Sequence, residues 1–337
     1  MVTRPPPRRV LVTGAGGFLG GHVCRAFAER CIPVRALIRR PSGVAQAGLE
    51  LAPVTGLEDL PGLRRALAGV DAVIHLAAHV HQGTIPPADA QAAAPYRAVN
   101  VEGTRTLLEA AVAAGVRDFV FASSVKAIGD RNEAPWTETT RPAPADAYGV
   151  TKLEAEQLVR DQARRFGLHA PILRLPLVYG PGMKANALRL FQAVAHHVPL
   201  PVGGVANRRS FLFTGNLVAA MLATLANEAG DDTFFVSDGE DLSTADLARE
   251  IGRAMGRKPL ILPVPIGALK VVGGLGDVLA RVGPFPLTTA ALDRLVGSLT
   301  VDSSKLGRAT GYHPPYSVRE GLRITCAWLR EQGTHET

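Results

Sequence analysis

Aromatic side chains are scarce in this 337-residue sequence, at 5%, so a stacking platform for nucleic-acid bases has little to be built from. The arginines are scattered, and no helix-turn-helix or metal-finger spacing is present, which removes nucleic acid as a partner despite a formal charge of +7. Cysteine is equally sparse. Cys24, Cys31 and Cys326 are odd in number, far apart and free of any CxxC pair, which argues against a disulfide framework and for a reducing compartment. No uncharged apolar run reaches the roughly 18 residues that a membrane-spanning helix needs. The opening "MVTRPPPRRVLVTG" carries charges but no apolar run of signal-peptide length, so a cytoplasmic protein is expected. Among the nine histidines no spacing sets three on one site, and no metal is expected. His79 and His81 are instead expected at the mouth of a site.

What is present suits an ordinary globular chain, 47% hydrophobic and 20% charged. The excess positive charge is better matched to a small anionic substrate. The first half alternates short apolar runs with helical repeats: "RRVLVTG", "IPVRALIRR", "LAPVTG", "DAVIHLAA", "RDFVFASSV" and "APILRLPLVYGPG" read as strands. Uniformly apolar strands belong to a sheet covered on both faces. The pattern predicts a Rossmann-type, doubly wound parallel α/β sheet. The expected division is a dinucleotide-binding domain over 1–180 and a smaller, partly interleaved α/β substrate domain over 181–337. Residues 259–287, rich in Leu, Val, Pro and Gly, read as a packed cap or as a membrane-surface segment.

"TGAGGFLG", residues 13–20, follows a strand and enters a helix, the context in which a glycine trio has meaning. Gly14 permits a tight turn, Gly17 lets backbone N–H groups approach a pyrophosphate, and Gly20 lets the helix pack closely. Phe18 and Leu19 open that helix beside the cofactor. At the end of the second strand an acid would hydrogen-bond a ribose hydroxyl of NAD. Here Arg35, Arg39 and Arg40 stand instead, suited to the 2′-phosphate of NADP. The residues thus favour NADP, with NAD as the alternative.

"YGVTK" places Tyr148 and Lys152 four apart, on one helical face. Either a surface helix has an aromatic foot, or a proton donor stands beside its tuning cation. A tyrosine of pKa about 10 needs such help near neutrality.

Taken with "DAVIHLAA", "NVEGT", "FVFASSV" before Gly129, "RLPLVYGPG", "RRSFLFTGN" and "VDSSKL…GYHP", these motifs resemble the extended short-chain dehydrogenase/reductases over nearly the whole chain. In particular they are similar to the NAD(P)-dependent nucleotide-sugar epimerase/dehydratase group. The resemblance implies a catalytic Ser124, Tyr148 and Lys152, with Ser123 the less favoured hydroxyl. It implies Asn100 supporting the lysine or cofactor, and His75, Leu76, Ala77 and Ala78 lying along the cofactor. Asn186, Arg209 and Arg294 would hold a nucleotide-sugar diphosphate, with Ser124 and Tyr148 at the sugar. "TGLED" departs from the family's usual "GDL", which leaves the adenine contact to Gly56 and Leu57. Val125 and Lys126 stand where a dehydratase places Asp-Glu, and no cysteine lies near the site for a 3,5-epimerising reductase.

The reading that results is redox chemistry at C4 of a UDP-linked sugar, a 4-keto-sugar reductase ahead of a 4-epimerase. An NADPH-dependent reductase of an apolar ketone and a non-catalytic dinucleotide sensor are further alternatives. Trp136 reads either as facing substrate or as packing. The resemblance also implies a homodimer formed through the helix after "NVEGT" and the helix of Tyr148.

Overall fold

The computed structural model describes residues 4–39, 49–80, 86, 89–227, 232–279, 289 and 296–333. Its core is a seven-stranded parallel sheet in the order β3-β2-β1-β4-β5-β6-β9. The strands are β1 (Val10–Thr13), β2 (Val34–Ile38), β3 (Leu49–Pro53), β4 (Ala72–His75), β5 (Asp118–Ser124), β6 (Ile172–Leu175) and β9 (Thr233–Phe235). A separate parallel pair joins β7 (Leu177–Tyr179) to β8 (Phe211–Phe213). β1, β4, β5 and β6 are buried along their whole length, which explains their unbroken apolar runs.

Crossover helices cover both faces. One face is packed by α1 (Phe18–Glu29) and α7 (Thr214–Ala226), which bring Val23, Phe27, Leu217 and Met221 onto Val12 and Ile74. The other is packed by α2 (Leu60–Leu67), α4 (Gly103–Ala113) and α5 (Ala147–Phe166) against Leu11, Val73, Phe119 and Phe121. The strand order reverses between β1 and β4, so the crevice at their carboxyl ends is where a ligand fits an open α/β sheet.

The seventh strand comes from the second half of the chain, and α7 covers the first half's sheet. The halves are therefore interleaved. A smaller cluster in the second half gathers Tyr179, Phe191, Phe213, Leu247, Ile251 and Leu322 from β7, β8, α6 (Ala185–Ala195), α8 (Thr244–Met255) and the C-terminal helix Val318–Gly333. No helix among the described residues is long and apolar enough to cross a membrane.

Candidate active site

The glycine turn is drawn tight against its neighbours. Gly14 has φ +67°, and a Cβ there would lie 2.9 Å from the Ala77 nitrogen. A Cβ on Gly20 would come within 2.1 Å of the Gly14 carbonyl oxygen, so only glycine lets α1 start this close to β1. Thr13 ties the turn to the next strand end: its Oγ accepts from the backbone N–H groups of Leu76 and Ala77, at 3.1 and 3.0 Å. Gly14, Gly17, Leu76, Ala77 and Ala78 are thereby assembled along one crevice, with Phe18 and Leu19 half-buried at its side. The first turn of α1 has no side-chain cap and no acid, so its N–H groups face the crevice uncompensated by the chain's own charge. That cradle, filled if any of its glycines gained a side chain, fits a dinucleotide pyrophosphate.

Two residues read as cofactor contacts are used otherwise. His75 is 1% exposed, with Nδ1 2.7 Å from Thr13 Oγ and Nε2 2.9 Å from Thr104 Oγ. It braces β1, β4 and α4 from within, and burial, aided by the charge of Lys152, pushes its pKa down to about 3. Arg35 lies inside the structure too. Its guanidinium donates to the Ala66 and Ala68 carbonyls at 2.6 and 2.8 Å and pairs with Glu50 at 2.8 Å. It ties β2 to the end of α2 and is not available to a 2′-phosphate. Arg39 is exposed at the end of β2. Leu57 is buried against Gly103. Arg40, His81 and Arg294 lie outside the described residues, as does the side chain of Asn186, whose backbone is in the first turn of α6.

The remaining candidates meet where β5 ends. Ser124 closes β5 and caps a short 3-10 turn (Val125–Ala127), and its hydroxyl acts on the Tyr148 phenol, lowering the phenol's pKa against burial. Tyr148 enters from the first turn of α5, which Asp146 caps by accepting from the Gly149 N–H at 2.8 Å. Gly149 is required by proximity: a Cβ there would lie 2.3 Å from the Lys126 carbonyl oxygen. Lys152, one turn on and 2% exposed, donates to the Ala122 carbonyl at 2.6 Å and stands 4.1 Å over the Phe121 ring.

Ser123 is occupied elsewhere. It donates to Glu156 at 2.6 Å, and Glu156 is gripped by Arg174 at 3.0 and 2.7 Å. The hydroxyl left to face the crevice is therefore that of Ser124. Asn100, in a π-helical turn (Ala98–Glu102), accepts from the His79 N–H at 2.8 Å and donates to Thr151 Oγ at 3.1 Å. It fastens the segment after β4 to the helix of Tyr148.

Burial governs the two titrating groups. It pushes the Tyr148 phenol up to about 12, with the Ser124 hydrogen bond opposing and Asp146 and Tyr96 reinforcing the rise. It pulls the Lys152 ammonium down to about 7, against the charge of Glu156. The sequence predicts a phenol lowered by its lysine; in the folded chain desolvation of the phenol dominates, and the opposing pull comes from Ser124.

Arg209 lies in the second half, donating to the Gly297 carbonyl at 2.9 Å, with the charge of Asp130 across from it. Trp136 has a packing role, enclosed with Val125, Ile128, Phe235 and Val301. Reading residues one motif at a time missed Tyr96, Lys126, Asp146 and Glu156. Of these, Asp146 carried a local signal, as an acid just before a helical run.

A family model described as the NAD dependent epimerase/dehydratase family matches residues 10–236. The chain belongs to that family. It is accordingly an extended short-chain dehydrogenase/reductase, an enzyme class working through a nicotinamide dinucleotide. A UDP-glucose 4-epimerase of Vibrio cholerae is 32% identical, over 96% of this chain and 95% of its own. A 4-hydroxy-2-methyl-3-oxo-4-farnesyl-3,4-dihydroquinoline-1-oxide ketoreductase of Stigmatella aurantiaca is 28% identical, over 93% and 94%. Among solved structures, MoeE5 in complex with UDP-glucose and NAD superimposes with a TM-score of 0.75. It is 28% identical, with 96% of this chain and 99% of that one covered.

Proposed function

We propose that the enzyme epimerises C4 of a UDP-linked sugar, with NAD lying between the glycine turn and the ends of β4 and β5. The observation that carries the reading is the glycine cradle at the switch point of the sheet, with Ser124 at the end of β5 and Tyr148 in the first turn of α5 beside it. Full-length similarity to a UDP-glucose 4-epimerase supplies the substrate class. NAD, when bound, supplies a hydride acceptor and donor. Tyr148 takes the proton from the C4 hydroxyl as the carbon is oxidised and returns it after the sugar has turned. Ser124 donates to the same oxygen and fixes its position. Lys152, one turn from the phenol, supplies positive charge there when its ammonium is protonated. Arg209 and Asn186 are assigned to the diphosphate, and Arg39 flanks the adenosine end. A homodimer through α4 and α5 completes the reading, testable by sedimentation.

A 4-keto-sugar reductase using NADPH is the second reading, favoured by one observation: β2 ends in exposed Arg39 with no acid there. The two differ in what the purified protein holds. Releasing and identifying any bound dinucleotide, then offering UDP-glucose alone, decides between them. Retained NAD and formation of the C4 epimer support the epimerase. An enzyme that turns over only when NADPH is supplied with a 4-keto sugar overturns it. Replacing Tyr148 by Phe is expected to lower turnover by roughly a hundredfold or more while NAD stays bound.

A further inference from the structure

Lys126 has no place in the reaction as described, yet three contacts tie it to the residues that do. Its backbone N–H donates to Ser124 Oγ at 3.2 Å. Its carbonyl oxygen presses on α5 at the point where Gly149 lacks a side chain. Its ammonium reaches the Asp146 carboxylate at 3.2 Å and Asp130 at 2.6 Å. Asp146 is the N-cap of the Tyr148 helix, and its side chain is only 1% exposed. A carboxylate buried this far is costly unless a cation meets it. Lys126, one-fifth exposed, is a cation that meets it.

We propose that Lys126 is a positioning residue that locks the Tyr148 helix onto the Ser124 strand end and offsets part of the Asp146 charge that Tyr148 feels. The proposal rests on Tyr148 being the proton-transfer group. Around the phenol stand Ser124 from β5, Asp146 at the cap, Lys152 one turn on, and Tyr96 from α3 (Ala90–Arg97). The His79 ring is set edge-on to Tyr96, 4.6 Å between centroids. Of the two carboxylates that Lys126 meets, Asp146 is the one that raises the phenol's pKa. Removing the ammonium exposes that charge and makes the phenolate harder to form. Removing the Asp146 charge does the reverse.

The test compares Lys126→Met, Lys126→Arg, Asp146→Asn and the Met/Asn double variant in NAD-loaded enzyme. Two readouts are used: the pH profile of turnover, and the onset of phenolate absorbance after subtracting the Tyr148→Phe version of each. Lys126→Met is expected to move both alkaline by about one pH unit. It should cut kcat about tenfold with KM within about twofold. Lys126→Arg is expected to restore wild-type behaviour. Asp146→Asn keeps a good N-cap and is expected to shift the onset the other way, and the double variant should fall between. If Lys126→Met does not fold, Asp146→Asn alone carries the sign. An unmoved onset, shifts of the same sign in both single variants, or no rescue by arginine overturns the proposal. Absorbance needs no substrate, so opposite shifts in a protein that turns over no nucleotide-sugar would overturn the proposed function and leave this inference standing.

Discussion

Two carboxylates are buried in different parts of the molecule, Glu156 on α5 beneath the candidate site and Asp238 among Tyr179, Phe213 and Asn216. Glu156 is 0% exposed and is met by cations: Arg174 through two bonds and Arg160 at 3.4 Å, with Ser123 as a fourth donor. Among the described residues, Asp238, 8% exposed, is met only by neutral donors. These are the Asn216 amide at 2.7 Å, the Phe213 N–H at 2.8 Å and the Tyr179 hydroxyl at 3.0 Å. Burial therefore wins at Asp238 and pushes its pKa up to about 6, against those three hydrogen bonds. A carboxylate at similar depth is clasped by guanidinium groups in one place, and in the other meets neutral donors and is held toward its neutral form. The charge of its partners, not the count of its hydrogen bonds, makes the difference.

The sharpest way to break that contrast is Glu156→Gln. It leaves the Arg174 guanidinium buried without its counter-charge, and a loss of about 3–5 kcal/mol is expected in denaturant unfolding. A variant as stable as the wild type would show that the ion pair is dispensable. Asp238 gives the next effect, through pH. Its folded pKa lies above the unfolded value, so its stabilisation is complete below about pH 4 and is lost as pH rises through about 6. That loss is at most about 3 kcal/mol, two pKa units at roughly 1.4 kcal/mol each.

Asp238→Asn should produce the smallest change at neutral pH. It keeps an acceptor for Asn216 and Phe213, and Tyr179 retains the Val318 carbonyl, now 3.4 Å away, as acceptor. Stability at pH 7 is expected to be unchanged or higher by about 1 kcal/mol, with the slope between pH 4 and 6 removed. A large loss at pH 7 would place Asp238 in the same class as Glu156.

The sheet was legible because fully covered parallel strands must be apolar throughout, as "DAVIHLAA" is around β4. Ser124, Tyr148 and Lys152 were legible as a group through the family resemblance, which joins the spacing of "YGVTK" to the strand end of "FVFASSV". Arg35 was not. Its guanidinium is claimed by carbonyls 31 and 33 residues away, which nothing in "VRALIRR" reveals. Glu156 and Arg174 escaped for the same reason, since they pair across 18 residues on different elements. The second half was harder still. β7, β8 and β9 have three residues each, too few to display a period of two, and β9 joins a sheet built by the other half.

The segment around Ser298–Val301 has a further consequence. Asn132 and Trp136, in the loop between Ser124 and Tyr148, are held by the Thr300 backbone, and Arg209 by Leu299. Asn132 and its partner are 168 residues apart in the chain. During synthesis at typical rates, that loop would wait roughly 10–30 s for the segment that fixes it. The half carrying Tyr148 is made early and finished late, and a nascent chain stopped short of residue 300 would hold every strand of the sheet but not a settled site.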